Sequence, residues 1–258
     1  MTNKKTVPEF PQGVALIFGG SGGLGRSGAL LMAERGSDIV ITYNSRREVA
    51  EETVREIEAM GRKALALQCD VTDYGSVADV VKRSVEFGSR LHTVVTAGGL
   101  VFDTGPLIDF KPESFRAVIE TDVFGFFNIA RATVPHLRGQ GGSIVALITS
   151  AVARTVPTDA LSATPKAAVS MMVRHLAAEE ARHNIRVNAI GPGVIDGGMV
   201  VALRETPAKD LLDMAVDVTP MGRLGTVDEI GEAIAFLASS RASYITGQLL
   251  MVDGGLSG

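Results

Sequence analysis

Glycines at 19, 23 and 25, spaced Gly19-x-x-x-Gly23-x-Gly25, separate the apolar run Val14 to Phe18 from an alanine- and leucine-rich segment ending near Gly36. The layout is that of a strand, a tight turn and a helix start. Without Cβ atoms the backbone there can come close to a phosphate. The unpaired N–H groups of a helix N-terminus then face the anion, and the helix dipole favours its charge. A dinucleotide suits such a loop. The bland alternative is a glycine-rich connection that binds nothing, and the spacing departs from the commoner G-x-G-x-x-G.

The elements that must hold this loop alternate along the chain. Asp38–Tyr43 reads as a strand, and 45–60 as a helix with a charged face, closed by Gly61. A strand over 63–69, a helix over 73–87 and a strand over 92–96 follow, the last running into Ala97-Gly98-Gly99. A long helix is expected over 112–137, then a strand over 143–148. A helix over 165–182 leads to a strand over 185–190 that enters Gly191-Pro192-Gly193. Residues 194–225 read as an irregular excursion, before a helix at 226–238 and a strand at 248–252. Such units imply a doubly wound, Rossmann-type parallel α/β sheet of about seven strands, with helices on both faces. Ligands then gather beyond the carboxyl ends of the strands. No stretch reads as a linker, so 1–258 is expected to be one domain.

Bulk properties narrow the partners. A chain of 258 residues, 46% hydrophobic, can bury a large core. Its net charge of −4 gives no reason to expect nucleic acid or an anionic membrane surface. Cys69, the single cysteine, excludes an intrachain disulfide and suits a reducing cytoplasm, where it reads as a buried strand residue. The first residues carry charge but no apolar core of a signal peptide, and no apolar run reaches membrane-spanning length. One cysteine and four scattered histidines make no metal site.

Further motifs follow in order: Cys69-Asp70-Val71, Thr96-Ala97-Gly98, Arg186-Val187-Asn188-Ala189-Ile190-x-Pro192-Gly193, Phe236-Leu237-Ala238-Ser239, Tyr244-Ile245-Thr246-Gly247 and Asp253-Gly254-Gly255. With the glycine loop they resemble the short-chain dehydrogenase/reductase family, especially its 3-oxoacyl-carrier-protein-reductase-like branch, over about residues 12–256. The resemblance implies that Gly19, Ser21, Gly23, Leu24 and Gly25 hold a pyrophosphate, with Asp70 and Val71 at the adenine. Ala97 and Gly98 would lie under the ribose, and Pro192, Gly193 and Val194 beside the nicotinamide. The second strand ends Thr42-Tyr43-Asn44-Ser45-Arg46-Arg47, with no carboxylate to repel a 2′-phosphate and two guanidinium forks to meet one. NADP(H) is therefore the expected cofactor, with Asn44, Arg46 and Arg47 at its adenosine end. The alternative is that both arginines only solvate a helix start.

The chain departs from the family where chemistry is expected. Family members place Tyr-x-x-x-Lys on one helix, a serine on the preceding strand and an asparagine upstream. Here Lys166 matches the lysine, but Ser162 stands four residues before it. A phenol ionises near pH 10 and can be tuned downward, whereas an aliphatic hydroxyl starts several units higher. Thr164-Pro165 reads as a cap and first helical residue, which would start the helix late and could put Leu161 at the tyrosine's place. Ungapped counting puts Thr149 at the serine, with Ser150 beside it. Asp122 falls at the asparagine and could pair with Lys166 through water, or bond locally as an ordinary helix residue. Asp159 is the nearest other titratable group; a solvent proton relayed by Lys166 is the alternative. Tyr43, Tyr74 and Tyr244, and His92, His136, His175 and His183, fall away from the expected nicotinamide.

Two functions follow from these residues. One is an NADP(H)-dependent reductase acting on a small apolar carbonyl or conjugated acceptor. The other is an inactive relative serving as a nucleotide-binding or regulatory subunit of a hetero-oligomer. The resemblance also implies a homotetramer built on the helices at 112–137 and 165–182, where Phe124, Phe126, Phe127, Met171 and Met172 could form an interface or simply pack on the sheet. Met199, Val200, Val201, Leu203, Leu211 and Leu212 are expected to line a substrate pocket, with Gly197-Gly198 as a mobile point.

Overall fold

The computed structural model describes residues 8–100, 104–197 and 209–258. Strands β1 (Val14–Phe18), β2 (Asp38–Tyr43), β3 (Ala64–Gln68), β4 (Leu91–Thr96), β5 (Gly142–Leu147), β6 (Ile185–Pro192) and β9 (Leu249–Val252) form one sheet in the order β3-β2-β1-β4-β5-β6-β9. Every pairing in it is parallel. Because helices cover both faces, β1 reads as an unbroken apolar run and is buried along its whole length. One core layer joins Leu16, Val94 and Ile144 to Phe126, Val169 and Val173. The other joins Ile17, Ile39 and Val145 to Met32, Ile230 and Ile234.

The helices are α1 (Gly23–Glu34), α2 (Arg47–Ala59), α3 (Tyr74–Gly88), α4 (Pro112–Val118), α5 (Gly125–Leu137), α6 (Ala160–Glu180), α7 (Lys209–Val218) and α8 (Val227–Ala238). Three sequence expectations change. The helix over 112–137 is interrupted by a π-helical turn over Ile119–Phe124. The excursion at 194–225 is not irregular throughout, since it contains α7 and a short parallel pair, β7 (Ile195–Asp196) with β8 (Gly225–Thr226). Helix α6 starts at Ala160, with Pro165 inside it, rather than at Pro165. A proline in a helix interior forfeits a hydrogen bond. The early start is offset by Leu161, whose side chain is only 1% exposed in the core; burying a leucine contributes about 1.5–3 kcal/mol.

Several motif residues serve the scaffold. The Arg186 fork donates to the Leu237, Ala238 and Ser239 carbonyls at 2.7–3.1 Å, closing the end of α8. Burial lowers that guanidinium to about 10. Asn188, fully buried, donates to the Ile245 carbonyl and accepts from the Gln248 N–H, which sets β9 beside β6. Asp253 accepts from the Gly255 and Ser257 N–H groups. Cys69 is buried as expected, and burial raises its thiol to about 11.

His92 is buried in β4, with its ring nitrogens 3.3 Å from Ser37 Oγ and 3.0 Å from Thr93 Oγ1. Burial, helped by Arg90, lowers its pKa from 6.5 to about 4. Between those values the unfolded chain binds more protons than the folded one. Stability is therefore complete above about pH 6.5 and falls as pH drops, by up to about 1.4 kcal/mol per unit. Urea midpoints measured from pH 7.5 to 5 should show this slope, and His92→Gln should flatten it; an unchanged slope would refute the assignment.

Candidate active site

Gly19 ends β1 with φ +82°, and a Cβ there would lie 2.5 Å from the Gly98 nitrogen. A Cβ on Gly25 would lie 2.5 Å from the Gly19 oxygen and 3.0 Å from the Ala97 Cβ. The loop and the Ala97-Gly98 segment after β4 are thus packed backbone to backbone, which only glycine permits. Thr42, buried in β2, accepts the Gly19 N–H at 3.2 Å. The N-cap of α1 is Gly22, so no side chain closes that helix start, and its first turn carries no acidic residue. Its first N–H groups and the positive end of its dipole stay open to an anion. Ser21 is buried beneath, Leu24 packs on the core and Gly23 is exposed at the tip.

The two arginines after β2 part company. A Cβ on Gly22 would lie 3.5 Å from the Arg46 guanidinium, so this side chain lies over the glycine loop. Arg47 turns along α2 and pairs with Glu51 at 2.7 Å, which raises its pKa. Asn44, two residues before Arg46, is exposed, its carbonyl accepting from the Gln68 amide at 2.9 Å. Asp70 Oδ1 accepts from both the Thr72 N–H and hydroxyl. The Val71 carbonyl accepts from Asn128 on α5 at 3.0 Å. Sequence reasoning missed Asn128, which no local signal separates from the other polar residues of α5, Arg131, Thr133 and His136.

At the other end, Asp122 Oδ2 meets Lys166 Nζ directly at 3.1 Å, where the sequence left open a pairing through water or a local bond within the helix. Their side chains are 4% and 15% exposed. Asp122 belongs to the π turn, whose wider winding rotates it inward. Positions of Cβ built on Gly99 would fall 3.7 Å from Asp122 Oδ1 and 3.8 Å from Lys166 Nζ, so the pair faces the backbone after β4. Because α6 is continuous from Ala160, the residue one turn before Lys166 is Ser162, partly exposed, while Leu161 points into the core. Thr149 follows β5 and accepts the Ala151 N–H on its hydroxyl oxygen at 3.2 Å; Ser150 is buried beside it. Asp159 caps α6 by position but makes no cap hydrogen bond. Burial raises its carboxyl to about 6 against a smaller opposing pull from the Ser162 hydroxyl.

Strand β6 carries Pro192 to the same edge. The Gly193 N–H donates to the Val252 carbonyl at 3.0 Å, and the Val194 carbonyl accepts from Gly225 at 3.0 Å. Gly197 lies against Val227, where a Cβ would come within 2.4 Å. Leu212 is buried. Gly198, Met199, Val200, Val201, Leu203 and the side chain of Leu211 lie outside the described residues. Among the described residues no helix is long and apolar enough to cross a membrane.

A parallel sheet with an open helix start beside its first strand, and a lysine facing the backbone after the fourth, defines a dinucleotide-dependent oxidoreductase class. Residues 19–257 match the family model described as enoyl-(acyl carrier protein) reductase. The chain is 37% identical over 244 residues to the 3-oxoacyl-[acyl-carrier-protein] reductase FabG of Staphylococcus aureus, covering 94% of this chain and 97% of that one. A gluconate 5-dehydrogenase from Burkholderia cenocepacia, in complex with NADP and tartrate, superposes with TM-score 0.88 at 30% identity, over 96% of each chain. A carveol dehydrogenase from Mycobacterium avium, in complex with NAD, gives TM-score 0.91 at 27% identity, over 97% of this chain and 99% of that one. The chain belongs to the short-chain dehydrogenase/reductase family. The relatives named are oxidoreductases, and the two solved ones hold NADP or NAD.

Proposed function

We propose that the protein is an NADP(H)-dependent reductase of a small apolar carbonyl or conjugated acceptor, working from a site without the family's tyrosine. The observation that carries the cofactor choice is Arg46, lying over the uncapped start of α1 where no carboxylate stands at the end of β2. Arg47, held by Glu51, is the outer of the two forks. Gly19, Ser21, Gly23, Leu24 and Gly25 would hold the pyrophosphate, Asn44 and Arg46 the 2′-phosphate, and Asp70 and Val71 the adenine. Ala97 and Gly98 would border a ribose, with Lys166 in reach of it, and Pro192, Gly193 and Val194 the nicotinamide. Bound there, a dihydronicotinamide supplies hydride. The chain's own part is to position the acceptor and polarise its oxygen, for which Thr149 is free to donate its hydroxyl proton and Ser150 stands behind. Conjugated acceptors need less help from an acid; the enoyl reductase description of the family model agrees with that class.

Calorimetric titration with NADPH, NADP, NADH and NAD tests the reading. Micromolar NADPH with much weaker NADH is expected. Arg46→Ala should cost NADPH about 10-fold or more, the loss of a charge-assisted hydrogen bond, and leave NADH nearly unchanged. Equal affinity for both reduced forms would refute the 2′-phosphate assignment. A second reading, a nucleotide-binding subunit without turnover, is favoured by one observation: Lys166 is already engaged by Asp122. Turnover of any carbonyl or enone by the pure chain eliminates it.

A homotetramer fits the outer face of α5 and α6. Phe124, Phe127 and Met171 are about half exposed there, whereas Phe126 is buried and Met172 packs on the core. Sedimentation equilibrium of the purified chain decides the state.

A further inference from the structure

Strand β2 ends on a residue that the packing of the sheet does not call for. Its apolar run Ile39, Val40 and Ile41 is followed by Thr42, which is 2% exposed. A valine would fill much the same space, and a hydroxyl buried there costs free energy unless it is bonded. Among the described residues that hydroxyl has one hydrogen bond, accepted from the Gly19 N–H at 3.2 Å. The backbone pairing of β1 with β2 runs from Val14 beside Asp38 to Ile17 beside Ile41. Beyond it Thr42 supplies the next link, from a side chain, to the first glycine of the loop.

Through Gly19 the whole loop is held as one body. The Gly19 carbonyl accepts the Gly22 N–H at 3.0 Å, and Gly22 is the N-cap of α1. That same carbonyl oxygen is what a Cβ on Gly25, in the first turn of α1, would strike at 2.5 Å. Gly20 is seated on Ile41, where a Cβ would lie 2.5 Å from Cγ2. Successive strand residues point to opposite faces, so Ile41 and Thr42 hold the loop from the two faces of β2. A displacement of Gly19 therefore carries the start of α1 with it. The free N–H groups of that start are the ones that meet an anion, and such hydrogen bonds weaken steeply when distance or angle is lost.

We propose that Thr42 is a positioning residue for the dinucleotide: by tethering Gly19, its hydroxyl sets where the uncapped start of α1 meets the pyrophosphate. The proposal rests on the dinucleotide reading of the glycine loop, and it needs neither turnover nor the choice of NADP(H) over NAD(H). Thr42 is closed off from solvent and acts through Gly19 rather than by contact with the nucleotide. Arg46, further along the same segment, lies over Gly22. The end of β2 thus addresses two groups of the nucleotide by separate means: the pyrophosphate through a hydroxyl and the backbone it holds, the 2′-phosphate through a guanidinium. Loss of the tether should weaken every ligand that carries a pyrophosphate and spare one that carries only a 2′-phosphate.

Calorimetry of the whole chain with ADP-ribose, NADPH and adenosine 2′-monophosphate tests this. Thr42→Val should bind ADP-ribose and NADPH about 10-fold more weakly, by a common factor, and adenosine 2′-monophosphate as the parent does. Thr42→Ser keeps the hydroxyl and should keep the parent's affinities. Unchanged ADP-ribose binding by Thr42→Val overturns the proposal, as does a loss in Thr42→Ser equal to that in Thr42→Val. Equal weakening of all three ligands also overturns it, because that is general damage to the fold. Hydrogen exchange of the parent chain decides without any variant: the Gly19 amide should be protected as those of β1 are, and free exchange there overturns the tether. Arg46→Ala should show the converse pattern, losing NADPH and adenosine 2′-monophosphate but not ADP-ribose. If it spares all three while Thr42→Val still weakens ADP-ribose, the tether is supported and the 2′-phosphate assignment is refuted. A parent chain that binds no ADP-ribose overturns the dinucleotide reading and the tether with it.

Discussion

Ser162→Tyr is expected to raise carbonyl reduction by about 10²–10⁴-fold, the range that a well-placed general acid contributes. The phenol would stand one turn before Lys166 on an unbroken helix, at a position already partly open to solvent. Its proton is held at about pKa 10 before any tuning, close enough to neutrality for direct donation. The gain should be larger when Asp122→Asn is added, because Lys166 is then released from its carboxylate partner. Steady-state kcat with NADPH and a carbonyl panel measures all of this. A tyrosine variant that binds NADPH as the parent does and gains nothing would show that position 162 does not face the acceptor.

The second large effect is on stability. Lys166→Met should destabilise the chain by about 3–5 kcal/mol, because it strands the Asp122 carboxylate in a nearly closed site. Asp122→Asn should cost much less, since the ammonium is the more exposed partner and the amide still offers it an oxygen. The double variant Asp122→Asn/Lys166→Met should recover most of the loss. Urea denaturation of the four chains forms a complete cycle. Additive losses would mean that the pair is solvated and contributes little. The cycle also separates two roles of Lys166, since nucleotide affinity measured on the stable double variant reports cofactor contact alone.

Most of the architecture was legible in the sequence because its signals are local. Short, mainly apolar runs between helical segments mark the strands of the sheet, most clearly β1 between Gly13 and Gly19, and the glycine loop announced the open helix start of α1. What stayed hidden depends on angles between elements. Nothing in Ile119–Phe124 distinguishes a π turn from an α turn, so the direct contact of Asp122 with Lys166 could not be read. Pro165 looked like a helix start because proline favours that position; the burial of Leu161 upstream, a tertiary fact, overrides it. Adjacent Arg46 and Arg47 are chemically alike, and only the presence of Glu51 one turn on hints that they separate.

The π turn between α4 and α5 has a consequence for how this chain can change. Each residue of an α-helix advances about 100°, so one extra residue in a turn resets the phase of everything after it. Within the turn, Asp122 reaches the site and pairs with Lys166. Downstream, Gly125 is pressed against Val71, and Phe127 faces outward. The turn thus works as a coupling between two gears, letting the chemical end and the outer face hold independent orientations on what is otherwise a single rod. Removing one residue from 119–124 would lock them into one rotation, so that Asp122 keeps its place at Lys166 only if Phe127 leaves the surface.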